Sequence, residues 1–105
     1  MKNMAVIKVT KSNFEDIKNS DKPVLLDFYA DWCGPCQMMS PIVDDVAEEN
    51  EQYVVGKINV DNDPELAMAF SVVSIPTLVV MKDGKVTSQK VGLCPKSDIL
   101  AMLED

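Results

Sequence analysis

Two cysteines separated by two residues are the part of this sequence best suited to chemistry. Cys33 and Cys36 stand on a predicted turn that opens a helix, directly after an apolar strand. A helix start provides free backbone N–H groups and a partial positive charge, and both favour a thiolate over a thiol. Because two thiols at this spacing can also close into a disulfide, the pair predicts reversible dithiol–disulfide exchange.

A structural disulfide and half of a zinc site are the two other interpretations of such a pair. Zinc sites normally use four cysteine or histidine ligands, whereas the chain has three cysteines and no histidine, so we expect no metal. The third cysteine, Cys94, stands just before Pro95. It is either a small packing residue or a regulatory thiol that is open to glutathionylation.

Length and charge narrow the classes of protein to consider. A chain of 105 residues predicts a single domain over residues 1–105. The net charge of −7 disfavours binding to nucleic acid or to an anionic membrane surface, and no apolar run approaches the ~20 residues of a membrane-spanning helix. The N-terminal residues lack the apolar core of a signal peptide, so we expect a cytoplasmic protein, in which cysteines stay mostly reduced.

The hydrophobic pattern predicts an α/β fold with the element order β-α-β-α-β-α-β-β-α. The predicted strands cover residues 5–9, 23–30, 53–60, 77–82 and 85–91. The predicted helices run from a capping box at 12–15 to about 19, from 34 to about 50, from 64 (capped by Asp63) to about 70, and from 95 to about 104. Crossovers between the early strands imply parallel pairing and Asp83-Gly84 implies a hairpin, so we expect a mixed sheet with helices on both faces.

The long second helix has apolar residues at helical spacing. They form one predicted stripe: Met38, Met39, Ile42, Val43, Val46 and Ala47. Pro41 interrupts this stripe, and we expect it to kink the helix without ending it, because proline removes one backbone hydrogen bond.

The chain resembles the thioredoxin family over essentially its whole length. The matching residues, in the family's order and spacing, are Asp27-Phe28-Tyr29-Ala30, Trp32-Cys33-Gly34-Pro35-Cys36, Pro41, Lys57, Val60-Asp61, Ile75-Pro76-Thr77, Asp83-Gly84 and Val91-Gly92. The resemblance implies a thioredoxin fold, in which a central mixed five-stranded β-sheet is flanked by four α-helices. It also implies a general protein disulfide reductant, a protein-disulfide reductase that acts by dithiol–disulfide exchange.

The resemblance assigns roles to the residues of the cysteine loop. Cys33 would be the attacking nucleophile, and Cys36 would be the more buried, resolving thiol. Gly34 and Pro35 between them would tune the reduction potential toward that of a reductant, since a histidine in this loop would favour an oxidant.

Asp27 is a carboxylate in an otherwise apolar strand, and burial there would raise its pKa. The resemblance locates it behind the cysteine pair, where it could exchange a proton with Cys36. It also locates Lys57 beside this carboxylate, in a tuning role. The alternatives are that the two residues form a structural polar pair or that Lys57 reaches solvent.

A substrate-docking surface is also implied by the resemblance. It would consist of Trp32, Ile75, Pro76, Gly92 and Leu93. The bond before Pro76 would be cis, and the backbone of Ile75 would pair with an extended client segment. The alternatives are an ordinary proline at the start of a strand and a tryptophan that serves only in packing.

Partners follow from the same resemblance. A thioredoxin reductase, fed by NADPH through a flavoenzyme or by ferredoxin, would recharge the protein, which would be a monomer without a cofactor. Family clients are ribonucleotide reductase, peroxiredoxin and methionine sulfoxide reductase. Gln37 departs from the family's usual Lys or Arg and puts partner choice in question.

The competing functions are a disulfide oxidase or isomerase of the same fold and a non-catalytic binding module.

Overall fold

Within residues 5–105, five strands and four helices follow one another in the predicted order. The computed structural model describes residues 5–105; residues 1–4, which carry part of the expectation about a signal peptide, lie outside it. The strands are β1 (Val6–Lys8), β2 (Val24–Tyr29), β3 (Val54–Asn59), β4 (Thr77–Lys82) and β5 (Lys85–Val91). The helices are α1 (Phe14–Lys18), α2 (Gly34–Glu49), α3 (Pro64–Ala69) and α4 (Lys96–Glu104).

The strands form one mixed sheet in the order β1-β3-β2-β4-β5. β3 pairs in parallel with β1 and β2, whereas β4 pairs antiparallel with β2 and β5. The turn between β4 and β5 has positive φ at Asp83 (54°) and Gly84 (79°), the backbone that favours a tight hairpin. The predicted mixed sheet is confirmed.

Helices cover both faces of the sheet, which explains why β2 is apolar throughout. On one face, Leu25 of β2 packs with buried residues of α2 and α4, among them Met39 and Ile99. On the other face, Leu26 and Phe28 pack with residues of α1 and α3. Successive side chains of a strand point to opposite faces. Asp27 therefore projects toward α2, on the same face as Leu25.

Helix α2 continues through Pro41, as predicted. The predicted apolar stripe is wrong at one position, since Met38 is 62% exposed whereas Met39 is fully buried. Adjacent residues of a helix point about 100° apart, so Met39 faces the core while Met38 falls on the solvent side of the stripe.

Neither predicted side-chain cap forms, although Asp63 is the N-cap residue of α3, as predicted. The capping box at the start of α1 does not form: Asn13 is the N-cap residue and makes no side-chain cap bond, because its Oδ1 accepts the backbone N–H of Thr10 at 2.8 Å. Asp63 is the N-cap residue of α3, but its Oδ1 accepts the backbone N–H of Lys11 at 3.1 Å instead of capping the helix. In both cases the side chain that the local pattern assigns to the helix start bonds to a residue outside the helix instead.

Candidate active site

The cysteine pair lies where β2 passes into α2. Cys33 is the N-cap residue of α2 and forms a disulfide with Cys36. Its Sγ accepts the backbone N–H of Cys36 at 3.2 Å, which is the kind of helix-start contact that the sequence predicts. Both cysteines are 4% exposed, so the expectation that Cys36 is the more buried is wrong. The two cysteines form a buried cluster with Ala30. The partly buried side chains that pack against this cluster are Tyr29, Val60 and Ile75.

The loop before β4 lies against the disulfide. The Ile75–Pro76 peptide bond is cis, as the resemblance implies. The Sγ of Cys33 is 3.8 Å from the carbonyl oxygen of Ile75. The backbone N–H of Gly92 donates to the carbonyl oxygen of Pro76 at 2.8 Å, which ties the end of β5 to this loop.

An apolar groove of about 190 Å³ opens beside the cysteines. It contains two of the residues predicted to dock substrate, Trp32 and Ile75. The sequence did not indicate its other lining residues: Val60, Ala67, Val72 and Val73. Val73 is 93% exposed, and an apolar residue in an exposed loop was the signal that could have found it. The other predicted docking residues, Pro76, Gly92 and Leu93, are not part of the groove lining; Pro76 is buried, whereas Leu93 is exposed.

Trp32 is 71% exposed, and a long-range hydrogen bond restricts its indole ring. Its Nε1–H donates to Oδ2 of Asp61 at 2.9 Å. Asp61 is a further residue that sequence reasoning did not assign to the site. A large aromatic surface that is held in place while exposed is suited to contact with another molecule, because little side-chain entropy remains to be lost.

Asp27 is fully buried. Neither of its carboxylate oxygens has a hydrogen-bond partner among residues 5–105. Burial raises the pKa of Asp27 to about 6, although the positive charge of Lys57 opposes the rise and Asp44 adds slightly to it. Asp27 therefore has the properties of a group that takes up and releases protons near neutral pH.

Lys57 lies directly beside Asp27 in the register of β2 and β3. Its ammonium donates a hydrogen bond to Oγ of Ser40 on α2 and lies 5.2 Å from the centroid of the Tyr29 ring. The two residues are thus neighbours, but the carboxylate receives no hydrogen bond from the ammonium.

A cavity of about 280 Å³ joins Lys57 to the cysteine pair. Its lining residues are Tyr29, Ala30, Asp31, Cys36, Gln37, Ser40 and Lys57. Gln37 donates from Nε2 to the backbone carbonyl oxygen of Asp31 at 3.1 Å. Sequence reasoning missed Ser40, although it follows Cys36 by four residues, the spacing that brings two side chains to one helix face.

Cys94 lies away from this site, in the core between the sheet, α2 and α4. It is 5% exposed, and burial raises the pKa of its thiol. A buried thiol with a raised pKa is a poor nucleophile, which favours the packing interpretation.

Two features of residues 5–105 concern the expectations about metal binding and about a membrane-spanning helix. No group of three or more His, Cys, Asp or Glu side chains there could hold a metal ion. Within the same range, every helix is too short or too polar to cross a membrane.

Known proteins match the chain over almost its whole length. The family model for thioredoxin matches residues 5–105. A thioredoxin of Mycobacterium tuberculosis is 47% identical over 103 residues, which cover 96% of this chain and 89% of the relative. A solved structure of a mutant thioredoxin from Halobacterium salinarum superposes with a TM-score of 0.89 at 37% identity, covering 99% of this chain and 93% of that one.

Two further matches carry a partner in their names. A bifunctional thioredoxin reductase/thioredoxin of Mycobacterium leprae is 44% identical over 101 residues, 94% of this chain and 22% of that protein. A solved structure described for the resolving mechanism of yeast mitochondrial 1-Cys peroxiredoxin through glutathione and thioredoxin systems has a TM-score of 0.86 at 28% identity, covering 95% of this chain and 94% of that one. The chain belongs to the thioredoxin family, and its function is that of a protein-disulfide reductase that works by dithiol–disulfide exchange.

Proposed function

We propose that Cys33 and Cys36 reduce client disulfides in two exchanges. The Cys33 thiolate attacks one sulfur of the client disulfide, forms a mixed disulfide and releases the other client sulfur as a thiolate. The Cys36 thiolate then attacks Sγ of Cys33, which closes the Cys33–Cys36 disulfide and releases the second client thiolate. Two electrons pass to the client. The observation that carries this proposal is a disulfide at the start of α2 beside an apolar groove.

Cys33 is the nucleophile in this proposal because the helix start favours its thiolate. The contact between Sγ of Cys33 and the N–H of Cys36 supports the role, since a backbone donor stabilises negative charge on sulfur. Gly34 and Pro35 form the short loop between the thiols and tune the potential toward that of a reductant.

Asp27 acts as the acid and base for Cys36. The Cys36 thiol must lose its proton before it attacks, and an ionised Asp27 accepts that proton. A pKa of about 6 supports this role, because the carboxyl group is then mostly ionised at neutral pH yet basic enough to be protonated. Lys57, its neighbour in the register, tunes the charge balance of the carboxyl group.

The client segment binds across Trp32, Ile75, Pro76, Gly92 and Leu93. A strand paired with the backbone of Ile75 would bring its sulfur close to Cys33, since the Ile75 carbonyl oxygen lies 3.8 Å from Sγ of Cys33. The neighbouring groove supplies apolar contact.

A thioredoxin reductase recharges the protein, and its clients include peroxiredoxin, ribonucleotide reductase and methionine sulfoxide reductase. The reductase fused to a relative and the peroxiredoxin named with a structural neighbour support the first two partners. The protein acts as a cytoplasmic monomer, one domain over residues 1–105, with the cysteine pair in place of a cofactor.

The first test is the reduction potential of the cysteine pair. The protein is equilibrated with glutathione or a reference thioredoxin, and Trp32 fluorescence reports the change. We expect about −270 mV, the value typical of thioredoxin. A potential above about −180 mV would indicate an oxidase or isomerase instead.

The second test traps the client. With Cys36→Ser, the first exchange proceeds and the second does not, so a mixed disulfide to a client protein should accumulate. Cys33→Ser is the matched control and should trap none. Equal trapping by both variants would reverse or remove the assigned roles.

A further inference from the structure

Ser40 stands on α2 one turn after Cys36 and lines the cavity between the cysteine pair and Lys57. Its hydroxyl oxygen accepts a hydrogen bond from the Lys57 ammonium. This contact connects α2 to β3 across 17 residues of sequence. A serine inside a helix ordinarily bonds its own backbone or water. Here it binds the one lysine that neighbours Asp27 in the sheet register.

The Lys57 ammonium is held from two sides. Ser40 provides the hydrogen bond, and the face of the Tyr29 ring lies 5.2 Å away, within the range of a cation–π contact. Both contacts lie at the wall of the cavity that contains Cys36. The ammonium is therefore directed toward the cavity.

Asp27 is left without a hydrogen bond although a cation stands next to it in the sheet. A buried carboxylate with an ammonium in reach ordinarily pairs with it, because an uncompensated buried charge is costly. The competing acceptor, Ser40, explains why the ammonium does not reach Asp27.

The ionisable groups around Asp27 come from few elements. β3 contributes Lys57, and α2 contributes Asp44; Cys36 is held in the disulfide and carries no titratable thiol in the oxidised protein. β4 places apolar Leu78 opposite Asp27. β1 adds Lys8 beside Lys57, but its side chain is exposed. Lys57 is thus the positive charge whose position bears most directly on the carboxyl group.

We propose that Ser40 is a positioning residue: it holds the Lys57 ammonium at the cavity beside Cys36 and away from direct pairing with Asp27. The hydroxyl thereby sets the pH range in which Asp27 takes up a proton. The consequence for the second exchange rests on the proposed acid–base role of Asp27, but the positioning itself does not.

Removing the hydroxyl frees the ammonium to pair with Asp27. An opposite charge that comes into direct contact favours the ionised carboxylate and lowers its pKa. An Asp27 with a lower pKa is a weaker base toward the Cys36 thiol. The second exchange should then be slower at neutral pH, while formation of the mixed disulfide should be unaffected.

The test is a titration of Asp27 by carboxyl ¹³C NMR in the full oxidised chain. Ser40→Ala should lower the apparent pKa of Asp27 by about 1 unit, and Ser40→Thr, which keeps a hydroxyl, should restore it. Ser88→Ala on β5, which β2 and β4 separate from β3 in the sheet, is the matched control and should leave the titration unchanged. An unchanged or raised pKa in Ser40→Ala would overturn the proposal.

A Lys57→Met background shows whether Ser40 acts through the ammonium. There, Ser40→Ala should cause no further shift in the Asp27 titration, because the two residues form one coupled pair. An equal shift with and without Lys57 would mean that the hydroxyl acts on Asp27 by another route, and would also overturn the proposal.

The pH profile of the second exchange separates this inference from the proposed function. Stopped-flow release of a client from the mixed disulfide should show the acid limb of Ser40→Ala displaced to lower pH, by the same amount as the NMR titration. If the Asp27→Asn variant has the same pH profile as the unmodified protein, the acid–base role of Asp27 is wrong. The NMR titration still decides whether Ser40 positions Lys57.

Discussion

Asp27 is a carboxylic acid in the centre of the sheet, fully buried and without a hydrogen-bond partner among the described residues. Burial disfavours its charged form, which is why its pKa rises to about 6. The folded protein therefore holds the Asp27 proton more tightly than the unfolded chain does. The same property that suits Asp27 for proton exchange makes it costly at neutral pH, where it must ionise inside the fold.

Asp27→Asn should remove a pH-dependent loss of stability. In the unmodified protein, the contribution of Asp27 to the free energy of unfolding is largest below pH 4 and is lost as pH rises from about 4 to about 6. The asparagine variant lacks this loss, so between pH 4 and pH 8 the unfolding free energy of the unmodified protein should fall relative to the variant by about 2–3 kcal/mol. Urea unfolding of both proteins measures it, and a pH-independent difference would contradict it.

Helix α2 carries the cysteine pair at its start and anchors it through a buried stripe. Met39, Val43, Val46 and Ala47 pack against the sheet and α4, on the same face as the core around Leu25. Met38, the residue before Met39, points to solvent. Substituting each of these two neighbouring methionines in turn therefore distinguishes the effect of core packing on stability from the effect of helix propensity.

Met39→Ala should destabilise the protein by about 2–5 kcal/mol, because it leaves a cavity in the core between α2 and the sheet. Met38→Ala is its matched control and should change stability by no more than about 0.5 kcal/mol. Chemical denaturation of the oxidised proteins tests the pair. Similar losses in both variants would mean that Met38 is buried after all.

The whole molecule is acidic, with a net charge of −7. Some of its negative charges lie beside Trp32, at the surface proposed to bind clients. Asp61, which binds the Trp32 indole, and Asp31, next to Trp32 in the chain, are both exposed. Gln37 stands beside them without the positive charge that the family usually has there. The field around the groove therefore attracts basic client segments and repels acidic ones.

Disulfide peptides flanked by lysine should be reduced faster than matched peptides flanked by glutamate, by at least about tenfold at low salt. The ratio should shrink as ionic strength rises, because the Debye length falls to about 8 Å at 0.15 M. Asp31→Asn should reduce the ratio, whereas Asp83→Asn, on the distant β4–β5 turn, removes the same charge with less effect. A ratio that does not respond to salt would rule out this steering.

Much of the fold followed from local patterns. The apolar run of β2, the helical spacing of α2 and the Asp83-Gly84 turn each predict an element from neighbouring residues, and all three elements formed. The predicted capping box at 12–15 fails because α1 begins one residue later, with Asn13 as its N-cap residue. Asp63 is the N-cap residue of α3, as predicted, but its side chain bonds outside the helix. For Asp63 the partner, Lys11, is 52 residues away in the chain, beyond any local pattern.

The sequence by itself determined the reacting pair, since the spacing of Cys33 and Cys36 at a helix start is a local property of the chain. Tertiary structure decided the environment of that pair. The bonds from Lys57 to Ser40 and from Trp32 to Asp61 join residues 17 and 29 positions apart, and the groove gathers side chains from four separate stretches of the chain. Such contacts depend on the strand order and on how helices pack across the sheet, so neither the bare carboxylate of Asp27 nor the position of the Lys57 ammonium follows from neighbouring residues.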